Sequence, residues 1–312
     1  MCKYNLHIWN FFRNFAAEIN LAYYGLMTIA LFGNTMKSET MSEVSHILEF
    51  MKRRGVNVLL SQELRQELNI RDLPSFPDGA DARPENEPID FAVSVGGDGT
   101  FLTTASIIGD RNIPILGINC GHLGFLADVQ TKDVDLILTQ LLDGQYTIEQ
   151  RSLLKVSCGK ENLIMAPFAL NEISILKQGL SSMIAIEVHV NGELLHNYHA
   201  DGLVISTPTG STAYNLSVGG PLIVPQSRVM VLSPVATHSL SVRPLVVPED
   251  WKIDLKVQSR YGYYMISVDG RSQILGDDVQ LHIERASYTV KLVQIGENNF
   301  LNSLRTKMNW GK

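Results

Sequence analysis

The sequence predicts an α/β domain with a parallel sheet, followed by a mainly β domain. Three observations predict it. Apolar runs alternate with helix-periodic segments up to about residue 143, and the cluster Gly96-Gly97-Asp98-Gly99-Thr100 is lodged between one such run and the next helix. Beyond Gly144 the pattern changes to short alternating segments separated by turn dipeptides. Strands that alternate with helices need crossover connections, and therefore a parallel sheet covered by helices. Short segments of period two joined by tight turns belong to antiparallel pairing. A chain of 312 residues also exceeds the usual size of one core, so two domains are expected.

In chain order, Thr28-Ile29-Ala30-Leu31-Phe32 reads as a buried strand ending at Gly33-Asn34. Val44, Ile47, Leu48 and Met51 recur at i, i+3, i+4, i+7, which places one apolar stripe on a helix stopped by Gly55. Val56 to Leu60 is a second strand, Ser61 to Leu68 a short helix, and Asp72 to Pro88 a Pro/Asp/Gly loop. Phe91 to Val95 is a strand running into the glycine cluster, with a helix from Phe101 to Ile108 after it. A strand over Ile115 to Ile118 and a helix over Val134 to Leu142 complete this half. In the second half Ile184, Ile186, Val188 and Val190 alternate and meet Asn191-Gly192, a strong hairpin signal. Further short strands are expected at Leu153 to Val156, Ile253 to Val257, Met265 to Val268, Val279 to Ile283 and Thr289 to Val293. The domains are accordingly drawn as 27–144 and 145–293, with a C-terminal tail over 294–312 and an N-terminal extension over 1–26.

Hydrophobic residues make up 45% and charged residues 19% of the chain, which excludes disordered and fibrous compositions. The formal charge is -6, and no basic run exceeds Lys52-Arg53-Arg54, so nucleic acid is not an expected partner. Cys2, Cys120 and Cys158 lie far apart with no metal-ligand spacing, which argues against a disulfide framework or a structural zinc and for a reducing, cytoplasmic setting. The leading segment, with Lys3 and Arg13 ahead of the apolar Leu21 to Phe32, resembles a signal peptide only superficially. It holds Glu18 and Asn20, lacks a persuasive small-residue cleavage site, and is shorter than the ~20 apolar residues that cross a bilayer. No membrane partner is expected, and the residues before Met27 are read as a non-essential extension or an overcalled translation start.

The glycine cluster carries the chemistry. Placed between a strand and a helix, Gly96, Gly97, Gly99 and Thr100 let bare backbone N–H groups approach phosphate. Asp98 among them can reach a substrate hydroxyl and accept its proton as the oxygen attacks a terminal phosphoryl group. Neither the dinucleotide fingerprint Gly-x-Gly-x-x-Gly nor the Walker loop Gly-x-x-x-x-Gly-Lys-Ser/Thr occurs at this site, so a different phosphate-binding family is required.

Gly96 to Thr100, then Gly121-His122-Leu123-Gly124-Phe125, Asn171-Glu172, and Asp201-Gly202-Leu203 running through Ser206-Thr207-Pro208-Thr209-Gly210-Ser211-Thr212-Ala213-Tyr214, together resemble the NAD kinase family in order and type. The resemblance covers the chain from about Met27 to the last strands, and the long Ser-Thr-Pro-Thr-Gly-Ser-Thr-Ala-Tyr block is its most specific part. It implies an active site in a cleft between the two domains. The implied reaction is phosphorylation of the 2′-hydroxyl of the adenosine ribose of NAD by ATP, or by polyphosphate in some members, with a divalent cation such as Mg2+. By resemblance Asp98 is the general base and, with Gly99, touches NAD. Asn171 and Glu172 hold the ribose and adenine portion, and Asp201 contacts the nicotinamide end. Thr212, Ala213 and Tyr214 form an adenine and ribose subsite continued by Asn215, Leu216 and Ser217, while Phe125 is an aromatic wall. His199 stands where relatives carry a basic side chain, and Arg271 follows Val268-Asp269-Gly270 in another family block. No resident metal ligand is implied. The family resemblance favours a homodimer or homotetramer. The rivals are a lipid kinase of the diacylglycerol or sphingosine type, which shares the glycine loop, and a non-catalytic NAD or NADP sensor.

Overall fold

The computed structural model describes residues 27–77, 88–121, 124–127, 129–159, 163–179, 182–296 and 300–308. The extension over 1–26 and His122 lie outside these residues. The chain divides into two units, one made of the residues up to Glu149 together with those from Lys291 onward, the other of Gln150–Val290.

In the first unit, strands β1 (Thr28–Gly33), β2 (Asn57–Leu60), β3 (Phe91–Gly96) and β4 (Ile115–Asn119) form a parallel sheet in the order β2-β1-β3-β4. Every residue of β1 and β3 is buried, as expected of strands covered on both faces. The short β5 (Val129–Gln130) adds to β4. Helix α1 (Ser38–Arg54) turns Val44, Ile47, Phe50 and Met51 inward and stops at Gly55, whose N–H reaches the Lys52 and Met51 carbonyls. The stripe is the expected one, except that Phe50 is buried while Leu48 lies at its half-buried edge. Helix α2 (Gln62–Glu67) is capped by Ser61, whose side chain accepts the Leu64 N–H. Helix α3 spans Asp98–Ile108 and α4 spans Val134–Leu142. The start expected at Phe101 is thus three residues late: the glycines suppress helical propensity, but Gly97 leads directly into a first turn that already contains Asp98.

The second unit is built from β6 (Thr147–Ser157), β7 (Phe168–Ala169), β8 (Glu172–Lys177), β9 (Ile184–Val190), β10 (Glu193–Ala200), β11 (Gly202–Ser206), β12 (Val229–Val235), β13 (Leu245–Pro248), β14 (Ile253–Gln258), β15 (Tyr263–Val268), β16 (Arg271–Gly276) and β17 (Leu281–Gln294). A single helical turn, α5 (Tyr214–Ser217), follows β11. One antiparallel arrangement runs β10-β9-β14-β17, and the other β13-β12-β11-β8-β15-β16. Ile186, Val188, Ile253, Leu255 and Ile283 from the first and Ile173, Ile175, Leu203, Ile205 and Tyr264 from the second belong to one apolar cluster. The predicted hairpin at Asn191-Gly192 joins β9 to β10.

The strands expected over Val279 to Ile283 and Thr289 to Val293 are one continuous strand, β17. Glu284, Arg285 and Ser287 look like a polar turn in the sequence, yet the strand runs on through them, the buried positions shifting from Leu281 and Ile283 to Ala286, Val290 and Leu292. Beyond residue 290 the chain returns to the first unit, where Leu292 pairs in parallel with Ile115. The tail then forms α6 (Phe300–Lys307), with Ser303 and Leu304 buried.

Candidate active site

The glycine loop is placed by β3, whose carboxyl end delivers Gly96 and Gly97 to the start of α3. A side chain added at Gly97 or Gly99 would meet open space, so the amides of the first turn are unobstructed. That is the arrangement in which a helix N-terminus receives an anion. Thr103 and Thr104 donate their hydroxyls to the Gly99 and Thr100 carbonyls, tightening the turn.

Asp98 does not simply project into solvent. Its Oδ2 accepts the Phe125 N–H at 2.8 Å, and its Oδ1 accepts those of Leu126 at 3.0 Å and Ala127 at 3.1 Å. One carboxylate thereby gathers three consecutive amides of a loop 27 to 29 residues away. The chain comes so close that a Cβ on Gly124 would lie 1.9 Å from Oδ1, and only glycine fits. Phe125 is half-buried. The Lys307 ammonium of α6 stands 5.0 Å over its ring, a cation–π arrangement, and also donates to the Gly124 carbonyl. The expected C-terminal tail therefore reaches the loop that Asp98 holds.

In the second unit, β8 begins with Glu172 and pairs with β11, Glu172 lying opposite Ser206. Asn171 is buried, and its carbonyl accepts the Thr207 N–H at 2.9 Å and the Ser206 hydroxyl at 3.3 Å. The Thr207 hydroxyl donates to the Leu170 carbonyl at 2.6 Å and accepts the Gly210 N–H at 3.1 Å. These bonds fasten the Thr207 to Tyr214 segment directly onto Asn171. Another tightly enclosed glycine is here: a Cβ on Gly210 would lie 2.1 Å from the Asn171 carbonyl oxygen. Gly210→Ala must push that backbone aside, and such overpacking costs about 1–3 kcal/mol. Chemical denaturation should show the loss as a lowered midpoint; an unchanged midpoint would show that the two segments do not touch.

The Glu172 carboxyl is pushed up to about 7, chiefly by burial and then by the negative charge of Asp269, with the Tyr214 backbone N–H partly offsetting both. Its Oε2 is buried without a hydrogen-bond partner among the described residues. Such an atom is costly unless a ligand or water completes it. Asp201 lies at the junction of β10 and β11, where the chain passes from one sheet to the other. Its carboxylate is 2.7 Å from the Lys177 ammonium, an ion-pair partner that the sequence did not reveal.

The remaining expected site residues divide into two groups. Thr212, Ala213, Tyr214 and Leu216 are half-buried and Ser217 is exposed, so this segment presents accessible surface. His199 is also exposed, on β10. Asn215 does not belong with them: it is fully buried, its Nδ2 donates to the Ser211 and Pro221 carbonyls, and its Oδ1 accepts the Ser233 hydroxyl. Its side chain holds the loop and does not line it. The Arg271 guanidinium is engaged by backbone, donating to Val268 O at 3.1 Å and Phe168 O at 3.0 Å. It braces the turn that carries Asp269.

Comparisons with known proteins agree with the two-domain fold. Residues 29–146 match the family model described as the ATP-NAD kinase N-terminal domain, and residues 170–295 the one described as the ATP-NAD kinase C-terminal domain. An NAD kinase of Bacteroides fragilis is 44% identical over 286 residues, covering 91% of this chain and 98% of that protein. One from Porphyromonas gingivalis is 42% identical over 287 residues with the same coverage. The crystal structure of an Archaeoglobus fulgidus NAD kinase in complex with ATP superposes with a TM-score of 0.71 at 26% identity, covering 91% of this chain and all of that one. Yeast NADH kinase shares the fold, with a TM-score of 0.77 at 24% identity over 92% of this chain and 88% of its own. With both domain models matched and close relatives covered almost end to end, the chain belongs to the NAD kinase family.

Proposed function

We infer that this chain transfers the terminal phosphoryl group of ATP, or of polyphosphate, to the 2′-hydroxyl of the adenosine ribose of NAD, forming NADP. The observation that carries the reading is Asp98, a carboxylate at the start of an eleven-residue helix among bare glycines. A carboxylate has about four acceptor positions; three are filled by amides, and one on Oδ2 remains for a hydroxyl. Phosphoryl transfer through a loose transition state depends mainly on alignment and charge stabilisation. In this reading the amides around Gly97 and Gly99 receive the phosphates, and Asp98 orients the attacking hydroxyl and accepts its proton. The Asn171 amide and the Glu172 carboxylate meet the ribose and adenine portion, Thr212 to Tyr214 continue that subsite, and Asp201 meets the nicotinamide end.

Among the described residues no group of three or more His, Cys, Asp or Glu side chains is arranged to hold a metal ion. The divalent cation of this reading is a Mg2+ that arrives on the ATP phosphates, the usual way this ion is bound, where it neutralises their charge. We place the protein in the cytoplasm as a homodimer or homotetramer. Cys120 and Cys158 are both buried and lie far apart in the chain, and this sparse cysteine usage supports a reducing compartment. No helix among the described residues is long and apolar enough to cross a membrane.

Purified protein given NAD, ATP and Mg2+ should form NADP, read by an NADP-specific dehydrogenase. It should leave diacylglycerol unphosphorylated. Phosphorylation of the lipid with no NADP formed, or binding of NAD without turnover, would overturn the reading.

A further inference from the structure

The glycine-loop device recurs in the second unit, with a carboxylate that the functional reading leaves unused. Asp269 occupies the turn between β15 and β16. Its Oδ2 accepts the Leu170 N–H at 2.7 Å, and its Oδ1 accepts those of Asn171 at 2.8 Å and Glu172 at 3.1 Å. Its own N–H donates to the Glu172 carbonyl at 3.1 Å. Three consecutive amides are again gathered by one side chain, here from 97 to 99 residues away. The clamp is closed from the other side by Arg271, which bonds the carbonyls of Val268 in the same turn and of Phe168 just before the captured segment.

We propose that Asp269 is a positioning residue for the acceptor nucleotide: by tying the amides of Leu170, Asn171 and Glu172 it sets the direction in which Asn171 and Glu172 meet the adenosine end of NAD. The proposal rests on the NAD kinase reading. A side chain at the start of a strand takes its direction from the backbone beneath it, and the Asp269 carboxylate is the acceptor of all three amides of that backbone. Misplacing a reactive hydroxyl by about 1 Å costs on the order of 10²-fold in rate, so the hold on Glu172 is felt in turnover and not only in binding.

Asp269 also acts on Glu172 through its charge. The groups facing the Glu172 carboxyl are the Asp269 carboxylate and the Tyr214 N–H, and Arg271 in turn faces Asp269. Two neighbouring carboxylates resist ionising together. Removing the charge of Asp269 therefore lets Glu172 ionise at lower pH, an effect that a mere brace of the turn would not produce.

The test is Asp269→Asn in the full chain. The expected result is a fall in kcat/KM for NAD of about 10- to 10²-fold with the KM for ATP unchanged, and an acid limb of the kcat/KM profile displaced below its wild-type position near pH 7. In the Glu172→Gln background the same substitution should cost much less, because residues acting through one another are not additive. A folded Asp269→Asn enzyme with wild-type kinetics for NAD and an undisplaced limb would overturn the proposal, as would equal damage to the NAD and ATP constants. If Asp269→Asn does not fold, Asp269→Glu carries the test: the charge is kept but the reach is altered, so kcat/KM for NAD should fall while the limb stays near 7, and wild-type kinetics would overturn the proposal. Failure of the wild type to make NADP would instead bring down the functional reading, and this inference with it.

Discussion

Asp98→Asn is expected to lower kcat by about 10²-fold or more while leaving the protein folded, the scale of losing a positioned base. The structure supplies a second reason for a large effect. An amide side chain presents one acceptor oxygen and one donor NH2, whereas both Asp98 oxygens face backbone N–H groups. Whichever way the amide is turned, Phe125 or the Leu126 and Ala127 pair loses its acceptor, and an unpaired amide away from water costs about 1–3 kcal/mol. The loop beside Phe125 then shifts as well. Steady-state kinetics with a parallel thermal melt would check this, and near-normal turnover in a folded variant would remove Asp98 from the mechanism.

Glu172→Gln should lower kcat/KM for NAD by about 10- to 10³-fold, or roughly 1.4–4 kcal/mol of transition-state stabilisation, with a smaller effect on ATP. The same substitution should make the protein more stable at alkaline pH. The folded-state carboxyl titrates at about 7 against an ordinary 4.5, so the folded state holds its proton more tightly than the unfolded chain. What this group contributes to stability is fully present below about pH 4.5 and is lost as the pH rises through about 7. Glutamine has no such titration. The melting temperature of the variant should therefore exceed that of the wild type by more at pH 8 than at pH 5, and a gap that fails to widen would contradict the buried, charge-opposed setting of Glu172. A binding group held at a cost to stability is common at sites that ligands complete.

Much of the architecture is legible in the chain because it is written at short range. The unbroken apolar runs of β1 and β3, the 3.6-residue stripe of α1 and the Asn191-Gly192 turn each express a rule that acts over a few neighbours. The glycine cluster is readable for the same reason, since a bare backbone between strand and helix is a local property. β8 and β11 escaped such reading. Glu172 and Lys177 bound a run of only four uncharged residues in β8, and β11 is five buried residues without alternation.

Motif membership identified the neighbourhood of the site but not the task of each side chain. Asn215 stands inside the most specific block, yet burial and three hydrogen bonds consume its amide, and Arg271 is likewise turned onto backbone carbonyls. Lys177 beside Asp201, Lys307 over Phe125, and the carboxylates of Asp98 and Asp269 gathering distant amides have no signature in spacing. A half-buried carboxylate must be satisfied by whatever donors the fold brings to it, and for Asp269 those donors lie 97 to 99 residues earlier in the chain. Periodicity and turn chemistry are properties of neighbours in sequence, and they specify the elements and the glycine loop. The partners of buried charge are chosen by which segments the finished fold places side by side, so the residues that aim the site came into view only with the tertiary contacts.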